Sequence, residues 1–144
     1  MYSIFNKLYY LSYPIYKPLY FIYKGISDRK KIAIIEEYLK PGMTVLDIGA
    51  NIGYYTKLFS KSVGSTGKVF AFEPDDTNFR HLKENTKGLG NVTTINKAVG
   101  EKSQQVKLYY SEEMNVDHQT YDSGVYITQT MPAISHQTVP HVSL

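Results

Sequence analysis

The strongest constraint on the fold is a glycine loop set between two segments of different period. Residues 44–48, TVLDI, are a short apolar run with Gly42 before it and Gly49 after it, the pattern of a strand buried on both faces. Residues 53–63 then place Tyr55, Leu58, Phe59 and Ser62 on one helical face. Between them stands Asp47-Ile48-Gly49-Ala50-Asn51-Ile52-Gly53. A glycine loop that leaves a strand and opens a helix is placed to hold a ligand at the carboxyl edge of a sheet. Glycine at 49 allows the sharp turn off the strand. Glycine at 53 lets backbone approach a ligand or a neighbouring strand closely.

The same alternation repeats downstream. Residues 64–67 read as a turn, 69–72 as a second buried strand, and 75–87 as a helix with Phe79 and Leu82 inward and a stop at Gly88. Residues 92–96 read as a third strand. The order β-α-β-α-β predicts an α/β fold with a Rossmann-like, doubly wound parallel sheet. Upstream, 27–40 reads as a helix capped by Ser27, with Asp28 in its first turn and Lys40-Pro41-Gly42 ending it. Residues 105–110 alternate cleanly, which predicts a half-buried edge strand. Beyond 110 the pattern is lost. Residues 123–144 hold no Asp, Glu, Lys or Arg, and only a short strand at 125–128 is expected there.

The loop also selects among cofactor classes. Glu73 lies twenty residues after Gly53, at the carboxyl end of the second strand, where a carboxylate can accept both hydrogen bonds of a ribose diol. A dinucleotide site needs Gly-x-Gly-x-x-Gly, and the matching positions here are Gly49, Asn51 and Ile52. Asn51 would crowd a pyrophosphate. Asp47 puts a negative charge beside the loop, which repels a diphosphate and attracts an ammonium or sulfonium. These features favour S-adenosyl-L-methionine over NAD, whose oxidoreductases are the lesser alternative. The competing structural reading is that Asp47 ties down the loop and Glu73 caps the next helix. No Gly-Lys-Ser/Thr follows the strand, which excludes a P-loop, and neither Ser60 nor Ser62 sits in a nucleophile elbow. His81 is expected solvated on the outer face of its helix, and His136 and His141 make no metal pattern. The absence of cysteine removes thiolate metal sites and thiol nucleophiles, and suits a reducing cytoplasm.

Residues 1–24 form a block of their own, with seven of the fourteen tyrosines and three Lys as its only charges. Pro14 and Pro18 are expected to interrupt any continuous helix there. Two readings stand: the rings pack on the following domain, or they sit at a membrane headgroup layer, where a Tyr ring is apolar and its hydroxyl wet. The net charge of +3 is uneven, since residues 1–40 carry seven Lys/Arg against three Asp/Glu and the rest nine against ten. That balance argues against nucleic acid as a partner. No apolar run approaches the ~20 residues that span a bilayer, and no secretory signal is recognised. The expected location is cytoplasmic, with a peripheral membrane contact through 1–24 as the variant. The expected organisation is an aromatic and basic extension over 1–26, a cofactor-binding half-domain over 27–110 and an irregular uncharged tail over 111–144.

Residues 31–122 resemble the FkbM-type S-adenosylmethionine-dependent methyltransferases, through PGMTVLDIGANIGYYTKLFSK, GKVFAFEPDDTNFRHLKEN, NVTTINKAVGEKSQQVKLYYSEE and, more weakly, VDHQTYDS. The resemblance implies that Asp47, Gly49, Asn51 and Gly53 surround the methionine part of the cofactor, with Ala50 among the cofactor-binding residues. It implies that Glu73 holds the ribose with Pro74 and Asn78 near it, and that Asn96 to Ala98 flank the adenine, with Tyr54 and Thr56 beneath. It also implies methyl transfer, mostly to oxygen, on sugars and natural products. The acidic fourth-strand motif of the family is not found after residue 110. The expectation is therefore a cofactor half that ends where the second half of the sheet should begin, with the first strand left as an uncovered edge open to self-association. Asp117 and His118 are the candidates for a base. A non-catalytic cofactor-binding module is the competing function.

Overall fold

The computed structural model describes residues 8, 9, 11–100, 104–110 and 127–135, the last two segments as backbone. Helices α1 (Tyr13–Ser27) and α2 (Arg29–Tyr38) lead into β1 (Thr44–Ile48), α3 (Tyr54–Val63), β2 (Lys68–Phe72), α4 (Asp76–Asn85) and β3 (Val92–Ile95). The strands β4 (Ala98–Gly100), β5 (Gln104–Tyr110) and β6 (Ile127–Ser135) follow. β1, β2 and β3 lie side by side in that order and all run parallel, with Thr44 opposite Lys68 and Val69 opposite Val92. This is the Rossmann-like parallel sheet that the alternating periods predict. β2 is the central strand, and its Val69, Ala71 and Phe72 are fully buried. Leu82 of α4 and Val63 of α3 are the fully buried anchors of the helical layer. β1 is not buried on both faces as its apolar run predicts: Leu46 and Ile48 alternate with buried Asp47 and stand exposed, because β1 is the edge strand of the described sheet.

Three expectations need correction. The helix read as 27–40 is two elements: Ser27 ends α1 and Asp28 stands between the helices, so Ser27 is no cap, and its hydroxyl donates to Asp28 Oδ1 at 2.9 Å. The prolines do not prevent α1. Pro14 sits in the first turn, where an N–H would have no helical acceptor, and Pro18 forfeits a single bond. Packing of the tyrosine face, described below, offsets that loss. The tail is not patternless either. β6 is nine residues long and pairs antiparallel with β5, Tyr110 opposite Ile127, and parallel with β4, Ala98 opposite Ala133. Its partners are distant in sequence, and Pro132 within it would ordinarily argue against a central strand. Local periodicity therefore misses it. β5 lies at the edge of this second sheet, as its alternation predicts.

α1 packs on the domain through aromatic rings. Tyr9 and Tyr16 are buried against Ile52, and Leu8, Tyr13, Tyr20 and Phe21 pad the cluster. Edge and stacked ring contacts run Tyr9–Tyr16 at 5.2 Å, Tyr16–Tyr20 at 5.3 Å and Phe21–Tyr54 at 5.2 Å, carrying the contact from α1 to α3. The buried hydroxyls find polar partners: Tyr9 donates to Asn78 Oδ1 at 2.5 Å, and Asn85 Nδ2 donates to the Tyr13 hydroxyl at 2.7 Å. Burial pushes the Tyr13 and Tyr20 phenols up to about 12. At the foot of α1, Lys24 pairs with Asp28 at 2.6 Å and Tyr55 donates to the same carboxylate, which together hold Asp28 well below the usual carboxylate range. The packing reading of the N-terminal tyrosines holds for Tyr9, Tyr13, Tyr16 and Tyr20, while Tyr23 is exposed.

The turn entering β2 has no room for a side chain. A Cβ on Gly67 would lie 2.5 Å from Val63 Cβ and 2.6 Å from the Met43 carbonyl oxygen. Gly67→Ala should therefore lower stability by about 1–3 kcal/mol. Gly90→Ala, whose added methyl meets nothing, should be near neutral. Urea unfolding of both variants checks this, and equal midpoints would show that the turn relaxes freely.

Candidate functional site

The loop after β1 is built from alternating left-handed residues: Gly49 at φ 79°, Asn51 at φ 51° and Gly53 at φ 88°. Asparagine is among the few side chains that tolerate this conformation, and here it stabilises the turn itself, its Oδ1 accepting from the Ile52 N–H at 2.7 Å. Every amide of 49–53 is engaged internally. Gly49 and Ala50 both donate to the Phe72 carbonyl at 2.9 Å, Asn51 donates to Glu73 Oε2 at 2.7 Å, and Gly53 donates to the Ala50 carbonyl at 2.9 Å. A phosphate cradle needs such amides turned outward. This loop has none left to offer.

The acids lie at adjoining strand ends. Asp47, near the end of β1, is buried and its Oδ2 accepts from the Thr56 hydroxyl at 2.6 Å. Burial raises its pKa and the Thr56 bond opposes that. Glu73 follows β2, is buried, and splits its oxygens between Asn51 N–H and Asp75 N–H, the latter at 3.0 Å. Burial, reinforced by the charges of Asp75 and Asp47, pushes it up to about 7 against the pull of the two amides. Among the described residues neither acid has a cationic partner. The cap of α4 is Asp75, whose carboxylate accepts from Asn78 N–H at 2.7 Å, so Glu73 is not the helix cap of the competing reading. Asp47 does help hold the loop, through Thr56.

The structure gathers Asp47, Gly49, Asn51, Glu73, Pro74 and Asn96 at the carboxyl ends of β1 to β3. Asn96 Nδ2 clamps the third strand to the second by donating to the carbonyls of Glu73 and Pro74, at 3.0 and 3.2 Å. Gly49 faces open space where its side chain would be. Gly53 instead serves packing, since a Cβ there would lie 2.8 Å from Leu82 Cδ1. Ala50 packs with Ala71 and Leu82, and Ala98 is buried at the start of β4. Asn78 is turned under α1, where it accepts from Tyr9. His81 requires correction: it is half-buried under α1 and not freely solvated. Its ring stacks on Tyr13 at 3.4 Å, its Nδ1 is buried without a hydrogen-bond partner, and burial lowers its pKa. Sequence reasoning missed Asp75, which a favourable capping residue one turn before Asn78 signals, and Asn85, which nothing local signals. Asp117, His118, His136 and His141 lie outside the described residues. No His/Cys/Asp/Glu group suited to a metal occurs among those described.

Part of the chain is similar to protein-L-isoaspartate O-methyltransferase 1 of Arabidopsis thaliana, 43% identical over 42 residues, 29% of this chain and 18% of that protein. Another similar protein is ribosomal RNA large subunit methyltransferase E of Nitrosomonas eutropha, 46% identical over 44 residues, 31% of this chain and 21% of that one. The chain thus spans about a fifth of the length of these curated relatives. Among solved structures, a SAM dependent methyltransferase from Aquifex aeolicus is 34% identical over 54% of this chain and 40% of that one, with a TM-score of 0.44. The family described as "Methyltransferase FkbM domain" matches residues 47–142, well over half of the 144. The chain belongs to the FkbM methyltransferase domain family.

Proposed function

We propose that the carboxyl ends of β1 to β3 form the cofactor site of an O-methyltransferase acting on a hydroxyl of a sugar or natural product. S-adenosyl-L-methionine is the cofactor of the family. The observation that carries the reading is a loop whose amides are all engaged, beside two buried carboxylates with no cationic partner described. Such a site suits a cation with hydroxyls, not a diphosphate. Glu73 keeps acceptor capacity for a ribose diol, since each oxygen carries a single described hydrogen bond. Asp47 and Glu73 supply the negative field for a sulfonium and ammonium, and the open space at Gly49 gives a ligand access to the loop.

The bound cofactor supplies a methyl group on a sulfonium, so transfer forms a C–O bond to the acceptor as the C–S bond breaks. The residues of this chain orient and hold. Glu73, fixed by two backbone amides, cannot swing away from the position it offers a ribose. A base is needed for the acceptor proton, and we assign it on sequence to Asp117 or His118. The acceptor class rests on the family, and the charge balance of residues 41–144, nine basic against ten acidic, supports a small molecule or glycan over RNA.

Adenosylmethionine should bind more tightly than NAD in calorimetric titration, and the reverse order would refute the assignment. Glu73→Ala should weaken cofactor binding by about 1.5–3 kcal/mol, and Glu73→Asp by less.

The pH dependence follows from the raised Glu73 pKa. Folding of the free protein favours the protonated acid, so that contribution is present below its ordinary 4.5 and lost as pH rises through about 7. Cofactor binding has the opposite sign, because the carboxylate is the accepting form. Affinity should climb toward pH 7, level off above it, and release protons on the acid side. In Glu73→Gln the climb should disappear. A Gln variant with an unchanged pH profile would remove Glu73 from the site.

A further inference from the structure

Of the tyrosines that mark residues 1–24 as a candidate membrane segment, α1 turns Tyr13, Tyr16 and Tyr20 inward and leaves Tyr23 exposed. The outward face is a different set. Ile15, Leu19, Ile22 and Ile26 recur at helical spacing along α1 and are 55%, 45%, 61% and 60% exposed, with Leu11 exposed just before the helix and Tyr23 beside the row. Pro14, Pro18 and Ser27 are the other exposed residues of that stretch, and no charged side chain interrupts it: Lys17 and Lys24 are half-buried, and Lys24 closes on Asp28. Directly after it come Arg29, Lys30 and Lys31, all exposed. Over residues 1–31 the sequence holds six Lys/Arg against Asp28 as its one acid, and that acid is already bonded by Lys24 and Tyr55.

We infer that the outer face of α1 lies on a bilayer carrying anionic lipid, with Ile15, Leu19, Ile22 and Ile26 in the acyl boundary and Arg29, Lys30 and Lys31 at the headgroups. This extends beyond the methyl-transfer reading and does not rest on it. The chemistry is that of an interfacial helix: an aliphatic row for the hydrocarbon, adjoining basic residues for the anionic surface, and a tyrosine at the boundary. No helix among the described residues is long and apolar enough to cross a membrane, so the contact lies in the plane of the surface. The other face of α1 stays on the domain through Tyr13 and Tyr16, with Tyr9 just ahead of the helix, which would hold the cofactor loop close to the bilayer, because Ile52 of that loop packs against Tyr9 and Tyr16.

The test is sedimentation of the full chain with vesicles of phosphatidylcholine alone and with added phosphatidylglycerol, at low and raised salt. The expected result is pelleting with the anionic vesicles, weakened by salt. Ile15→Ser/Ile22→Ser/Ile26→Ser should weaken it at least about tenfold. Arg29→Gln/Lys30→Gln/Lys31→Gln, which keeps the aliphatic row, should weaken it roughly a hundredfold. Circular dichroism melts check that both variants fold, and if the serine variant does not, the charge variant decides. Equal pelleting of wild type and a folded variant, or pelleting indifferent to anionic lipid, would overturn the proposal. So would light scattering that finds a dimer broken by the serine substitutions, since the row would then belong to a second copy of the chain.

Discussion

Glu73 joins the two loops on which the site depends. One oxygen takes the amide of Asn51 in the turn after β1, and the other takes the amide of Asp75 at the entry to α4. Backbone amides buried without partners are costly, so a carboxylate placed between them satisfies two at once. Asn96 adds a third tie by donating to the carbonyls of Glu73 and Pro74. The ends of three parallel strands are thus fastened by polar groups. The same arrangement leaves the Glu73 carboxylate desolvated beside Asp47, which raises its pKa. One residue therefore carries the architecture of the mouth and sets a desolvated carboxylate there beside a second acid.

The loop shows how a single sequence motif divides its duties. Gly49 adopts a left-handed turn with open space around it, whereas Gly53 adopts the same backbone region so that α4 can approach, with Leu82 where a methyl would fall. Asn51 occupies the third left-handed position and returns its own side chain to the backbone. The absence of a second bare glycine, which on sequence disfavours a pyrophosphate, acquires a stronger reason in the fold. The loop amides are already engaged with Phe72, Glu73, Asn51 and Ala50.

α1 is a two-sided element. Tyr13, Tyr16 and Tyr20 pack against Ile52 and α4, which pays for two prolines in the helix, and its aliphatic residues face out with Tyr23. Composition read the aromatic residues as the feature of interest, yet the helix spacing assigns them to the core and leaves isoleucines and leucine on the surface. His81 illustrates the same point from the other side: a residue on the outer face of α4 becomes covered because α1 lies over it.

What the sequence determined by itself is the part of the fold that is local. A five-residue apolar run between glycines, a helix of 3.6 period and their repetition specify parallel strands in order, because each element is decided by residues that are its own neighbours. The position of the two candidate acids was legible for the same reason: Asp47 and Glu73 stand at strand ends that the periods locate. Tertiary structure alone decided what depends on distant partners. Tyr9 meets Asn78 across 69 residues and Tyr13 meets Asn85 across 72, so no window of sequence could say which face of α1 turns inward. β6 becomes a strand because β4 and β5 offer it ladders, and the choice of Asp75 as the cap of α4 leaves Glu73 free to bridge the loops. Hydrogen bonds are satisfied globally, and the partner that satisfies each one is a property of the fold and not of the segment.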